Sequence, residues 1–495
     1  MIENSSILAL IRRFAAWARA AASGGVTERA AMAIAGFFAG VWERSRVKSL
    51  VAGSFGMESA FRESAAGRGL HAVSGLFAAS SAKLERLSSS SALLSLSRET
   101  DLALIGVYAS VFFAAILPTK IMLAISALTV LAFAVQLMAT GKARLAFRLQ
   151  DLFALLFALI MIAGAALSYF PVDSAVTVST YVLFILLYIA ARHCLNTENR
   201  LRAVMSLVVA AGALVSLYGI YQKLTGSFAV NEAWLDEDMF GSANRVYSTL
   251  ENPNVLGEFL IFSVTASFAG LYFFKRPLNK LLVVSALGLS AYCMALTQSR
   301  GAWLGLLAAL ALFALVYDRR LVWLAVPALL AAPFILPPDI IERFTSIGNM
   351  SDGSTSYRVN IWMASLTMIG VFWPIGIGMG TKTFIYVYGK YAYNAVNAPH
   401  SHNLFLQVII DTGVWGLIAL LAFLAVFFKD IFSRARVGGR DRAGAVLAAA
   451  AAGMFGFLVQ GLTDNVWFNY RVVMFFWLMA AMSAGAPISG KEDTA

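Results

Sequence analysis

The sequence predicts an all-α protein that threads a membrane repeatedly, with about twelve transmembrane helices and a large loop on one side. Three observations predict it. Of 495 residues, 60% are hydrophobic and only 13% are charged, about half the roughly 25% charged content of a soluble domain. Mean hydropathy is strongly positive, so polar surface is too scarce to cover a water-soluble body and lipid becomes the solvent. Apolar runs of near-span length are separated by gaps in which Lys and Arg alternate between present and absent, the positive-inside pattern. The net charge of +11 therefore reads as a determinant of topology, and no nucleic-acid partner is expected. The two cysteines, Cys194 and Cys293, lie far apart in apolar segments, which supports neither a disulfide framework nor a metal site.

Residues 1–100 form an Ala-, Ser- and Arg-rich extension. Ile7, Leu10, Ile11, Phe14 and Ala18 share one helical face flanked by Arg12, Arg13 and Arg19. This is either a basic amphipathic helix on the inner membrane surface or a loosely ordered cytoplasmic segment. The serine run 88–91 reads as a linker. No cleavable signal is evident, because two arginines precede any long apolar stretch. From residue 101 to 486 spans are expected near 101–117, 121–139, 151–169, 174–191, 203–222, 254–274, 281–298, 302–317, 321–336, 403–428, 443–462 and 471–486. Residues 487–495 form a tail. With the N-terminus in the cytoplasm, every cytoplasmic gap is basic: Lys142, Arg144 and Arg148; Arg192, Arg200 and Arg202; Lys275, Arg276 and Lys280; Arg319 and Arg320; Lys429 to Arg442. The short external gaps carry little or no positive charge. Both termini are then cytoplasmic.

Two external segments, 223–253 and 337–402, are long enough to imply a purpose. The second contains Ile361, Trp362, Met363, Leu366, Met368 and Ile369, an apolar face suited to an interfacial helix. Against the positive-inside rule, cations collect on this external side. Arg300 sits in a tight hairpin between two spans, either marking a substrate path or snorkelling to lipid phosphate. Arg358 stands on the expected interfacial helix. Arg245 stands just before the Asn252-Pro253 turn, with Asp236, Glu237 and Asp238 as alternative partners. Two of the four histidines, His400 and His402, immediately precede an apolar span. With no cysteine or clustered carboxylate nearby in sequence, a metal is not expected there. An imidazole beside arginines and a helix N-terminus is disfavoured as a cation and suits a general base; the plain alternative is a capping histidine. Guanidinium forks match phosphate oxygens and stabilise a departing diphosphate. Tyr386, Tyr388, Tyr391 and Tyr393 either stack on sugar rings or anchor at the interface.

Several motifs, in order, resemble the O-antigen ligase/polymerase family. They are Ser299-Arg300-Gly301-Ala302-Trp303-Leu304-Gly305, then Arg358 to Trp362, then Pro374-Ile375-Gly376-Ile377-Gly378 with Tyr388 and Tyr391, then His402-Asn403-Leu404-Phe405-Leu406-Gln407 with Gly413 and Gly416. The resemblance covers roughly residues 240–425. It implies a GT-C-like, metal- and cofactor-independent glycosyltransferase of the bacterial inner membrane. Such an enzyme transfers a glycan from an undecaprenyl diphosphate carrier to a lipid or glycan acceptor at the outer face, with inversion. Carried over by residue, Arg300 and Arg358 bind the diphosphate and His402 is the base, with His400 as the alternative base, and Arg245, His400, Asn403, Tyr388 and Tyr391 are substrate-binding residues. Asp411 stands where the family more often has glutamate and carries no assigned chemistry. Ligase and polymerase remain open alternatives. From a different class, a secondary transporter or lipid-linked glycan flippase also fits the helix count, although its ionisable residues belong near the midplane in repeated halves, and no repeat is visible.

Overall fold

A computed structural model describes residues 57–85, 100–140, 145–227, 245–318, 320–321, 341, 353–438 and 441–485. Among these residues the chain is helical throughout and contains no strand. By contacts the described residues from Met57 onward form one compact unit. The expected amphipathic helix near the N-terminus, the serine linker and the span 321–336 fall largely or wholly outside the described residues.

Two short-loop helices open the compact unit: α1 Met57–Glu63 and α2 Ala65–Glu85. Leu70 of α2 packs on a small cluster of Leu137, Leu145 and Phe147, and the Glu58 carboxylate accepts the Leu149 N–H, so this segment belongs with the bundle. The bundle follows: α3 Leu102–Phe113, α4 Thr119–Thr140, α5 Leu149–Ala166, α6 Pro171–Cys194, α7 Glu198–Thr225, α8 Pro253–Phe273, α9 Pro277–Leu296 and α10 Arg300–Val316. After the external segment come α13 Leu404–Gly438, α14 Arg442–Gln460 and α15 Tyr470–Gly485, with α11 Gly353–Phe372 and α12 Thr381–Tyr388 between them. Among the described residues eight helices are long and apolar enough to cross a membrane, and α3, α10 and α15 are shorter apolar helices. Apart from 321–336, which is not described, the expected spans recur within about five residues of their predicted ends, except that α13 runs on to Gly438.

Local chemistry sets those ends. Asn252 caps α8 through its side-chain oxygen, with Pro253 at the first helical position, where its missing N–H costs nothing. Thr197, Ser299 and Asp441 cap α7, α10 and α14 in the same way. Polar contacts sort the gaps into two ends of the bundle, as strict alternation requires. At the basic end Arg200 pairs with Asp101 at 2.9 Å, Arg192 with Asp151 at 2.9 Å, and the Tyr317 hydroxyl donates to the Asp441 carbonyl. At the other end Arg471 donates to the carbonyls of Leu117 and Thr249, and Thr249 to that of Ala115.

Small residues let the helices approach. A Cβ on Gly305 of α10 would lie 2.5 Å from the Gly456 carbonyl of α14, and one on Gly456 would lie 2.4 Å from the Gly305 carbonyl. Close backbone contact of this kind is how helices associate without a hydrophobic gradient between them. The Pro374–Gly378 motif works differently. Helix α13 breaks at Gly413, whose φ of +69° lies in the region that favours glycine. The break frees the carbonyls of Ile410 and Asp411, which accept N–H groups from Ile377 and Gly378, while Val414 N–H donates to the Trp373 carbonyl. Residues 373–378 are thereby stitched onto the break, so this motif holds the external segment to the bundle. The apolar face expected on α11 divides: Ile361, Ala364 and Met368 are buried, whereas Met363 and Leu366 are exposed.

This stitching predicts a sharp difference between two glycines. Gly378 has φ +85°, and a Cβ there would lie 2.4 Å from the Ser168 Cβ. Gly378→Ala should cost about 1–3 kcal/mol or more and lower the thermal unfolding temperature of the purified protein. Gly288, which has open space around it, should tolerate alanine with an unchanged or higher transition.

Candidate functional site

Three arginines from three separate segments meet at the non-basic end of the bundle. Arg245 precedes a short 3-10 turn, Ser248–Leu250. Arg300 opens α10, and Arg358 lies in the second turn of α11. They line one cleft together with Asn254, Trp362 and Asp464. Local structure fixes each. Arg245 Nε donates to the Thr297 carbonyl at 2.9 Å and Nη2 to the Asn254 side-chain oxygen at 3.0 Å. Arg300 follows its own N-cap, Ser299, in a hairpin closed by Trp303, whose indole N–H donates back to the Met294 carbonyl at 3.0 Å. Arg358 Nη1 donates to Ser354 at 2.7 Å, and its Nε is buried with no hydrogen-bond partner. Asp236, Glu237 and Asp238, the alternative partners for Arg245, lie outside the described residues.

His402 joins this cleft through Asp464. Its Nδ1 is 3.1 Å from Asp464 Oδ1. Asp464 Oδ2 accepts from the Asn254 amide at 2.8 Å, and Oδ1 also accepts the Asn465 N–H at 2.8 Å. A continuous chain therefore runs from the Arg245 guanidinium through Asn254 and Asp464 to the His402 imidazole. Burial alone would raise the Asp464 carboxyl. The hydrogen bond from His402 and the positive charge of Arg358 overcome it and hold the group well below the usual carboxylate range. An ionised Asp464 only accepts, so His402 Nδ1 carries a proton, and in the neutral imidazole the lone pair is then on Nε2. Trp362 holds the backbone here, its indole N–H reaching the His402 carbonyl at 3.3 Å. His402 itself has φ +48°, a strained value for a non-glycine residue that favours functional positions.

His400 plays a different part. Its ring is 7% exposed and lies 4.1 Å from the His402 ring and 4.4 Å from Phe468, centroid to centroid. Nδ1 accepts the His402 N–H at 3.2 Å, so Nε2 carries the proton. Burial, then the neighbouring imidazole, pushes its titration well below the ordinary histidine range. His400 faces a second cavity on the far side of the loop.

A carboxylate does join the two histidines, contrary to the expectation from sequence alone. His400, His402 and Asp464 each offer one atom within 4.8 Å of the others, a spacing able to hold a cation. Both Asp464 oxygens already accept hydrogen bonds, and the cleft beyond is lined by guanidinium, which repels a metal ion.

Three expected substrate-binding residues make structural contacts. Asn403 caps α13: its side-chain oxygen accepts the N–H groups of Phe405 and Leu406, and its amide donates to the Leu462 carbonyl. Tyr388 is 2% exposed and stacked on Phe384 at 5.4 Å; burial, then neighbouring Tyr357, pushes its phenol up to about 12. Tyr391 packs against the same small core and against Phe372. None of the three lines the arginine cleft. Tyr386 is half exposed in an aromatic patch with Tyr169 and Phe170, with the Lys390 ammonium 4.1 Å above its ring, an arrangement suited to a membrane interface. Asn254 and Asp464 were missed from the sequence. The Asn252-Pro253-Asn254 turn carried a signal for the first; a lone acid in a short external loop carried none for the second.

Comparison with known proteins agrees with the motifs. Residues 285–421 match the O-Antigen ligase family model. An O-antigen polymerase of Salmonella muenchen is 30% identical over 167 residues, covering 31% of this chain and 39% of that protein. An O-antigen ligase of Pseudomonas aeruginosa is 27% identical over 222 residues, covering 44% of this chain and 50% of that protein. The matched stretches thus span half or less of those relatives' own lengths. Motif order and comparison agree that residues 285–421 are similar to the O-antigen ligase family model, within a helical membrane protein.

Proposed function

We propose that this protein is a membrane glycosyltransferase. It moves a glycan from an undecaprenyl diphosphate carrier to a sugar hydroxyl of a lipid or glycan acceptor at the outer face of the cytoplasmic membrane. The observation that carries this reading is the convergence of Arg245, Arg300 and Arg358 on one cleft whose wall holds Asp464, bonded to His402. The family match supports the reaction class. The exclusion of most Lys and Arg from the short gaps at this end supports its outward orientation.

The residues divide the chemistry between them. Arg300, Arg358 and Arg245 receive the diphosphate; the unmet Nε of Arg358 finds its acceptor there. His402 Nε2 takes the proton from the acceptor hydroxyl as its oxygen forms a bond to the anomeric carbon. The bond from that carbon to the diphosphate oxygen breaks on the opposite face, which inverts the centre. The leaving diphosphate keeps the electron pair, and its growing charge is met by guanidinium in place of a divalent cation. Asp464 holds the imidazole in the Nδ1–H tautomer and stabilises the imidazolium that forms. His400, with its lone pair on Nδ1 engaged, orients the loop and is not the base.

Arg300→Ala or Arg358→Ala should lower transfer by about a hundredfold or more in a membrane assay, at wild-type expression and insertion. Retained activity in both would sink the scheme. Asp464→Asn should act on tautomer rather than on binding, so kcat should fall by roughly two to four orders of magnitude while the KM for the carrier-linked donor stays near its wild-type value. Transfer should also persist in excess EDTA; loss of activity restored by a divalent cation would instead support the histidine and Asp464 cluster as a metal site. A cysteine placed at Tyr386 should react with a membrane-impermeant maleimide added from outside the cytoplasmic membrane.

A further inference from the structure

A second cavity lies behind the histidine loop, and nothing in the scheme above uses it. Its walls include Asp411, His400, Tyr181, Trp467, Phe468 and Tyr470. It is bounded by α6, the start of α13, the 465–470 loop and the turn leading into α12. Polar and aromatic groups alternate around it, which differs from a lipid-filled gap between helices.

Asp411 is the unusual group. It is 6% exposed and stands at the break in α13, two residues before Gly413. Its Oδ1 accepts from the Gln407 amide at 2.9 Å. The Gln407 oxygen in turn accepts the Ser401 N–H at 2.8 Å, the residue between the two histidines. The second cavity is therefore wired to the histidine loop from one side, as the arginine cleft is wired to it through Asp464 from the other. A carboxyl group in a cavity wall with one amide partner has capacity for further hydrogen bonds. It faces aromatic rings, with Trp467 at 5.9 Å from Tyr181 and Tyr470 at 6.1 Å from Tyr181, centroid to centroid. A sugar ring supplies what both surfaces need: hydroxyl donors along its edge and an apolar C–H face for aromatic walls. The cavity contains no guanidinium or ammonium, so it is poorly matched to a phosphate.

We infer that this cavity is a sugar-binding subsite that seats a hydroxyl-bearing ring of the acceptor. In it Asp411 accepts from ring hydroxyls, Phe468 and Trp467 supply the apolar wall, and Gln407 transmits occupancy to the loop that carries His402. This rests on the arginine cleft being the diphosphate site, and it places donor and acceptor on opposite sides of the imidazole pair.

The test uses the full chain in lipid nanodiscs and two probes: a panel of methyl glycosides (hexosides, N-acetylhexosaminides and deoxyhexosides) followed by saturation-transfer NMR, and undecaprenyl diphosphate followed by native mass spectrometry. At least one glycoside should bind the wild type, with or without saturating undecaprenyl diphosphate. Asp411→Ala should weaken glycoside binding by about tenfold or more, the loss of a hydrogen-bonding carboxyl group, and leave undecaprenyl diphosphate binding unchanged. Phe468→Ala, at a ring that is 47% exposed and so dispensable for folding, should do the same. Arg300→Ala should show the reverse pattern. The subsite is overturned if no glycoside binds, if binding survives both cavity variants, or if Arg300→Ala or undecaprenyl diphosphate abolishes glycoside binding, which would make the sugar part of a single donor site. Wild type that binds a glycoside but not undecaprenyl diphosphate would overturn the donor assignment and leave the sugar subsite standing.

Discussion

Asp464 accepts hydrogen bonds from His402, Asn254 and the backbone of Asn465 at the edge of the bundle, and the geometry around it follows from the cost of keeping such a carboxylate charged. Removed from water, it needs positive neighbours and donors on every side. It has the hydrogen bond from His402 and the charge of Arg358 to lower its titration. The same bonds that satisfy it fix the tautomer of His402 and aim Asn254 at Arg245. One group thus links the loop before α8, the start of α13 and the loop before α15, three segments more than a hundred and fifty residues apart at their extremes. A neutral isostere at this position would keep the packing and lose the electrostatic reason for the arrangement.

The external segment needs an attachment of its own, because α11 and α12 carry only a small core. It comes from backbone groups. The break at Gly413 exposes helix carbonyls inside an apolar environment, where each unmet group is expensive. The N–H groups of Ile377 and Gly378 satisfy them. Here a helix defect and a loop motif are each unstable alone and complete each other. That explains why glycines stand at both: any side chain at Gly376 or Gly413 would collide with backbone of the partner segment at 2.6–2.7 Å.

Most of the fold was legible in the sequence because lipid leaves little choice. Runs of apolar residues must become helices, and the placement of Arg148, Arg192, Arg200 and Arg202 at one end marked the alternation that the contacts reproduce. Arg245, Arg300 and Arg358 were legible as exceptions to that charge rule, and they do share a cleft. Roles that depend on long-range partners were not. Asn403 reads as a polar residue beside a histidine until its amide is seen on the Leu462 carbonyl, 59 positions away. Tyr388 reads as one of four interfacial tyrosines until its ring is found inside the α11–α12 core. Asp464 and Asp411 read as isolated acids because the groups that give each its meaning, His402 for one and a cavity built from four segments for the other, are adjacent only in the folded chain.

The distribution of backbone strain bears on what kind of machine this is. Among the described residues, positive φ outside glycine occurs at Ser248, Glu251, Gln298, Asn394 and His402, all in the segments of the outward end and none within a span. Each such residue costs on the order of 1–3 kcal/mol and persists only where surrounding bonds over-determine it. Ser248 N–H is held by Gln222, and His402 N–H by His400. A transporter that exposes a midplane site alternately to both sides needs its compliance in the middle of the bundle. Here the interior is packed with apolar side chains from Phe259 to Trp477, and the strained, tightly bonded backbone surrounds the arginines and the imidazole. Cations held in place before the ligand arrives need no reorganisation as charge develops on a departing diphosphate, and fixed electrostatics of that kind are the usual largest source of catalysis. A rigid cleft at one face, rather than a moving gate at the centre, is what this pattern of strain and packing favours.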